Sequence, residues 1–146
     1  MSRLEVLDSR WTDLLTEMRL QFSEFPDGSL PDVTIAEFVR QPLLWQELSQ
    51  CARGKLAVWF EKLGCYFCFR YITDSCFQPA RHTGAGITAP AIHFCAKSVC
   101  FLYLMCISRY LKSGKHFGIQ DMIDLAHLYS REVEHSDENV EYLKNC

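Results

Sequence analysis

The chain has 146 residues, enough for one compact domain with its own core and too few for two ordinary ones. Apolar residues make up 49% and charged residues 23%, which excludes a disordered tail or a fibrous repeat. Lys and Arg number 15 against 18 Asp and Glu, and the formal charge of -3 gives no general attraction to nucleic acid or an anionic membrane, so neither is expected as a partner.

The few Gly and Pro gather mostly at 26–31, 78–90 and 113–118, the expected loops. Residues 10–24 place Trp11, Leu14, Leu15, Met18 and Phe22 at the spacing of an amphipathic helix. Asp27-Gly28 and Pro31 end that pattern, and Thr34 with Glu37 makes a capping box for a helix through Val39. Pro42 restarts the helix over 43–51, which Arg53-Gly54 ends. Over 55–73 the apolar side chains run almost all round, which predicts a central helix buried on most faces. Residues 74–88 form a loop long enough to be a functional segment, and Thr88 and Pro90 then open a helix to about 112. Its apolar run over 99–107 is well short of the roughly 20 residues a spanning helix needs, so a buried core helix is expected. After a turn at 113–118 a long helix covers 119–134, and Ser136 with Asp137 and Glu138 reads as the cap and first turn of a short final one. Without strand alternation or repeats, the expectation is an all-α compact bundle of five or six helices. It forms a single domain over 1–146, with N-terminal helices in 1–54 and a core region in 55–146.

The N-terminus shows no basic stretch followed by an apolar one, so no signal peptide is expected and the chain is read as cytoplasmic. Eight cysteines then read as reduced thiols, since Cys65, Cys68, Cys95, Cys100 and Cys106 sit in apolar helical segments. Cys65-x2-Cys68 followed by Cys76 has part of a metal-site spacing, but no second Cys-x2-Cys completes it, and no metal is assigned. Arg81-His-Thr-Gly-Ala-Gly-Ile-Thr88 precedes a helix start, where free N–H groups suit a phosphate or carboxylate; an ordinary loop is the simpler reading.

On the last long helix, Ile119, Met122, Ile123, Ala126, Tyr129 and Val133 form the expected core stripe. Gln120, Asp124, His127, Arg131, Glu134 and Glu138 lie opposite as the solvated face. Between them a mixed strip carries Leu125, Leu128, Glu132 and His135, extended by Asn139. Glu132 and His135, at i and i+3, are candidates for a base and its orienting partner, against the plainer reading of a core border. The Glu-x-x-His spacing also occurs in di-iron bundles, but its required companions are lacking. Arg70 stands on the face of Trp59, Leu63, Tyr66 and Phe67, so its guanidinium needs an acceptor, Glu132 or Glu134, or a route along its stem to the surface.

Residues 66–72, YFCFRYI, and 124–143, DLAHLYSREVEHSDENVEYL, resemble the C-terminal region of the flagellin lysine-N-methylase family. The resemblance covers about 55–144 and is carried by Tyr66, Arg70, Tyr71, Tyr129, Ser130, Arg131, Glu132, Val133, Glu134, His135, Ser136 and Asn139. It implies a bacterial enzyme that methylates lysines of flagellin, or of another protein substrate, with S-adenosylmethionine. Placed on that motif, Glu132, Glu134 and His135 are candidate catalytic groups, because a lysine amine must lose its proton before it is methylated. Tyr66, Arg70, Tyr129, Arg131 and Asn139 are candidates for substrate binding or a structural polar network. The resemblance also implies a preceding cysteine-cluster region; this chain is read as starting after it, with no iron–sulfur cluster of its own and a separate cysteine-cluster partner. The alternative is a non-catalytic helical module that binds a partner protein.

Overall fold

The computed structural model describes residues 9–22, 42–73 and 89–145. The expected helix over 34–39, the expected loops at 26–31 and 74–88, the Gly-x-Gly stretch and Cys76 lie outside the described residues. Among the described residues there are six α-helices and no strand: α1 (Ser9–Gln21), α2 (Pro42–Cys51), α3 (Leu56–Phe67), α4 (Ala89–Lys112), α5 (Ile119–Tyr129) and α6 (Asp137–Asn145). The all-α bundle read from the sequence is the fold. Two π-helical turns, Cys68–Thr73 and Ser130–Glu134, continue α3 and α5 directly.

The core is organised by α4, not by the segment at 55–73. Every residue from Phe101 to Ser108 is buried, more than two turns with no free face, and all five other helices pack on this one. Helix α4 is long and apolar enough to cross a membrane, but 67% of its most apolar window is buried inside the bundle, as in a core helix. On α3 only Leu56 and Phe67 are buried, whereas Val58, Tyr66 and, in the π turn that follows, Phe69 are exposed. An apolar circumference shows that a helix can be covered on every side; the neighbours decide whether it is, and α3 has them mainly on its α4 side.

An aromatic chain joins the layers. Trp11 of α1 lies 5.4 Å from Phe101 of α4, and Phe101 lies 6.0 Å from Tyr129 of α5. Tyr129 meets Phe67 edge-on at 5.9 Å, and Tyr71 meets Phe94 at 4.5 Å. These are the offset and tilted arrangements that ring quadrupoles favour. The Tyr129 hydroxyl donates to Ser98 Oγ at 2.7 Å, and Ser98 donates to the Phe94 carbonyl at 2.7 Å, so its polar end is satisfied inside the core.

The helix ends are set by local chemistry that the sequence announces. At the end of α2 the Gly54 N–H reaches the Ser49 carbonyl at 2.9 Å and the Arg53 N–H reaches that of Gln50 at 3.0 Å, the paired bonds of a Schellman stop. Arg53 takes φ 53° and Gly54 φ 71°. Helix α4 ends likewise, with Lys115 N–H on the Tyr110 carbonyl at 3.0 Å. The following turn is tied to α2: Lys115 Nζ pairs with Glu47 at 3.0 Å, and Cys51 Sγ accepts the Phe117 N–H at 3.2 Å. The Gly118 N–H donates to the Asp121 carboxylate at 2.9 Å, and the Asn139 N–H donates to Ser136 Oγ at 3.3 Å, capping α5 and α6.

Arg53 holds a left-handed conformation that costs a residue with a Cβ on the order of 1 kcal/mol. Arg53→Gly should therefore raise the thermal midpoint by a few degrees. Gly54→Ala should lower it by a similar amount through the backbone alone, since a Cβ there meets nothing within 4 Å. Scanning calorimetry of the two variants checks this, and the same sign for both would refute the assignment of this stop.

Candidate functional site

The two π turns come together at one polar network, and the second decides its content. The His135 N–H bonds to the Ser130 carbonyl at 3.1 Å, five residues back, which places one extra residue in the turn. Each residue of an α-helix advances about 100°, so one extra residue moves each that follows to the place of the one before it: Glu134 to the core stripe expected of Val133, His135 to the solvated face expected of Glu134. Glu134, expected on the solvated face, is turned inward and buried; His135, expected on the mixed strip, is turned out and exposed.

Once inside, the Glu134 carboxylate is built into a site. Its side chain is 2% exposed. The Tyr66 hydroxyl donates to Glu134 Oε2 at 2.6 Å, and Arg70 Nη1 lies 3.5 Å from the same oxygen. Arg70 Nη1 also donates to the Tyr66 hydroxyl at 2.8 Å, closing a triangle of phenol, guanidinium and carboxylate. The guanidinium carbon lies 5.9 Å from the Tyr66 ring centroid and 5.6 Å from that of Tyr71, within cation–π range of both. Of the two acceptors expected for Arg70, the structure supplies Glu134. The Tyr71 hydroxyl is buried and makes no hydrogen bond among the described residues. Burial first, and then the Glu134 hydrogen bond and charge, hold the Tyr66 phenol above its usual value; burial and the Glu134 charge push Tyr71 up further.

The other expected residues lie elsewhere. Glu132 is fully buried, and its backbone carbonyl accepts Asn139 Nδ2 at 2.6 Å, so Asn139 ties the start of α6 to the second π turn. Glu132 and His135 thus stand in opposite environments, one enclosed and one exposed. Arg131 is exposed. Tyr129 is a core strut whose phenol burial keeps strongly protonated. The expected core stripe is rotated as well: Met122, Leu125, Leu128, Tyr129 and Val133 are buried, while Ile119 and Ile123 are exposed. Cys65 and Cys68 are exposed, and Cys95 is pushed up to about 11 by burial and then by the neighbouring Cys68 thiol.

Ile119 and Ile123 face a groove that the sequence did not reveal. Helices α3 and α5 both pack on α4, and three clefts follow one another between them. The first, about 420 Å³, is lined by Arg53, Lys55, Trp59 and Phe117. The second, about 240 Å³ and almost wholly apolar, shares Trp59 and Ile119 with it and adds Lys62, Met122 and Ile123. The third, about 270 Å³, shares Leu63 and Ala126 with the second and is closed by Tyr66, Tyr129, Ser130 and Glu134. One end is therefore basic and aromatic, the other carries the carboxylate. Sequence reasoning also passed over Lys97, buried on α4, although the test applied to Arg70 marks it equally: a cation within an apolar helix.

A family model described as the FliB lysine N-methylase C-terminal domain matches residues 1–146, so the likeness extends over the whole chain rather than about 55–144. No curated protein and no solved structure matched.

Tyr66→Phe removes a donor to a carboxylate that has almost no access to water, and should cost roughly 1–3 kcal/mol in urea unfolding; an unchanged midpoint would show that Glu134 is solvated. Because the folded phenols titrate above their ordinary value, they stabilise the fold fully below about pH 10, and that contribution is lost as pH rises through their folded values. Glu134→Gln should shift the onset of tyrosinate absorbance to lower pH; no shift would remove Glu134 from the surroundings of Tyr66 and Tyr71.

Proposed function

The chain belongs to the FliB lysine N-methylase C-terminal domain family, and from that premise we propose that it receives the lysine of a protein substrate, flagellin in the first instance, at the Glu134 cleft. The observation that carries this reading is the Glu134 carboxylate itself, 2% exposed yet in the wall of an accessible cleft and flanked by phenol rings. A lysine ammonium needs three things before its nitrogen can be methylated: a counter-charge, an apolar sheath for its stem, and an acceptor for its proton. Glu134 supplies the first and third, and Leu63, Phe67 and Ala126 supply the second. In the structure the guanidinium of Arg70, whose side chain is 43% exposed, fills the cationic position. The incoming ammonium would take that position, with the Tyr66 and Tyr71 rings facing it. Of the three candidate catalytic residues, only Glu134 lines this cleft; Glu132 is enclosed and His135 points outward.

S-adenosylmethionine, the methyl donor that the family resemblance implies, supplies an electrophilic methyl group. The clefts along α3 and α5 do not fit it. The basic end has no carboxylate to accept from a ribose diol and sets Arg53 and Lys55 against a sulfonium, while at the other end the carboxylate of Glu134 is already held by Tyr66 and Arg70. We therefore assign the lysine side of the reaction to these residues and the donor to groups outside them, in this protein or in a cysteine-cluster partner.

The test is titration of the full chain with monomeric flagellin, native and lysine-acetylated. Acetylation removes the ammonium charge, so the native form should bind and the acetylated form should bind at least about tenfold more weakly. Glu134→Gln should erase that preference. Equal binding of both forms, unaffected by Glu134→Gln, would overturn the lysine-receiving reading in favour of a non-catalytic interaction module.

A further inference from the structure

The three clefts between α3 and α5 make one continuous groove, because neighbouring clefts share wall residues: Trp59 and Ile119 at one junction, Leu63 and Ala126 at the other. From Lys55 to Tyr66 along α3 it extends roughly 16 Å, about three helical turns at 1.5 Å per residue. Its floor is apolar, and its rim carries Ile119, 50% exposed, and Ile123. The walls are two helices, the shape into which the apolar face of a third helix settles.

The charges specify the occupant further. Arg53 and Lys55 stand at one end and Lys62 beside the floor, all three exposed and with no acidic partner among the described residues. Glu134 stands at the other end. We infer that this groove seats an amphipathic helical segment of the protein substrate, with an acidic residue against Arg53 and Lys55 and the target lysine about three turns away at Glu134. The inference rests on the lysine-receiving reading for its far end and adds the recognition that selects which lysine is delivered. A second copy of the chain is a poorer occupant: it would present the same concave face, and two grooves set together leave the space between them unfilled. Selection by a groove of this kind requires both a fitting apolar face and charges at the correct separation, which an isolated surface lysine lacks.

The probe is a synthetic helix-forming peptide of about 16 residues with Glu in one end turn, Leu at i, i+4 and i+7, and Lys in the other end turn, followed by fluorescence anisotropy on the full chain. It should bind, and Ile123→Asp, an exposed position whose variant is checked for folding by circular dichroism, should weaken binding by at least about tenfold. Replacing the peptide Glu by Lys should weaken it comparably, and the Arg53→Glu, Lys55→Glu double variant should restore that altered peptide. A norleucine-for-lysine peptide separates the two readings. If it binds as well as the parent and Glu134→Gln changes nothing, the groove stands and the lysine reading fails. If binding depends on Glu134 but not on Ile123 or on the Arg53 and Lys55 charges, the groove inference is overturned and the lysine reading stands. It is also overturned if the wild-type chain binds no peptide, or if sedimentation shows a dimer that Ile123→Asp dissolves.

Discussion

Everything in this structure follows from the need to cover α4. A helix with eight consecutive buried residues has no face to give to water, so other elements must be laid against it all the way round. Five short helices do this, and because each is committed to α4, their contacts with one another are secondary. That is why α3 and α5 flank the same side of α4 without closing on each other, and why a groove is left there instead of a second core. The groove is a by-product of the hub arrangement, and the Tyr129 to Ser98 hydrogen bond, donated from α5 into α4, fixes one of its walls.

The chemistry of the groove depends on a smaller constraint, the extra residue in the second π turn. A regular α-helix through 134 would present Glu134 to solvent, where a carboxylate has no reason to meet Tyr66. The π turn turns that carboxylate inward at the cost of one irregular hydrogen-bonding register, and the burial of a charge makes the arrangement specific. An enclosed carboxylate is tolerated only with donors in place, and those donors are Tyr66 from the last turn of α3 and Arg70 from the irregular stretch that follows it. The two π turns thus meet at one ion pair, Arg70 from the first and Glu134 from the second. π turns recur at functional sites because they re-aim a side chain without breaking a helix, and here the residue re-aimed is an ionisable one.

Helix positions, caps and the buried run of α4 were legible in the sequence, because periodicity, Ser136 and Arg53-Gly54 are local signals that need no tertiary knowledge. The pairing of Arg70 with a carboxylate of the last helix was legible too, from the cost of leaving a guanidinium unsatisfied among aromatic rings. Which carboxylate it meets was not, since a helical wheel assumes 3.6 residues per turn and the π turn breaks that count between Ser130 and Glu134. The same assumption placed His135 beside Glu132. The rank of the two aromatic-rich segments was also hidden. Both 55–73 and 99–107 read as buried, and only the packing shows that Val58 and Phe69 remain exposed while Phe101 to Ser108 do not. The groove, finally, belongs to the gap between helices, and a gap has no residue of its own to read.

The groove's two ends ask for opposite things, and this connects the architecture to lysine chemistry. A carboxylate in the open would bind any cation weakly, with water competing for every contact. Set in the wall of a cleft lined by Leu63, Phe67 and Ala126, it offers the lysine proposed above apolar contacts along the stem as well as a counter-charge at its end. Arg70 enters from the same helical wall, also on an extended stem, and satisfies the carboxylate in the absence of another cation. The Arg70 side chain is 43% exposed and that of Glu134 only 2%, so a competing cation would have to replace the contacts that Arg70 makes with the carboxylate and with the Tyr66 hydroxyl. On the proposed reading the cleft would exchange one positive charge for another, so that the enclosed carboxylate keeps a counter-charge throughout.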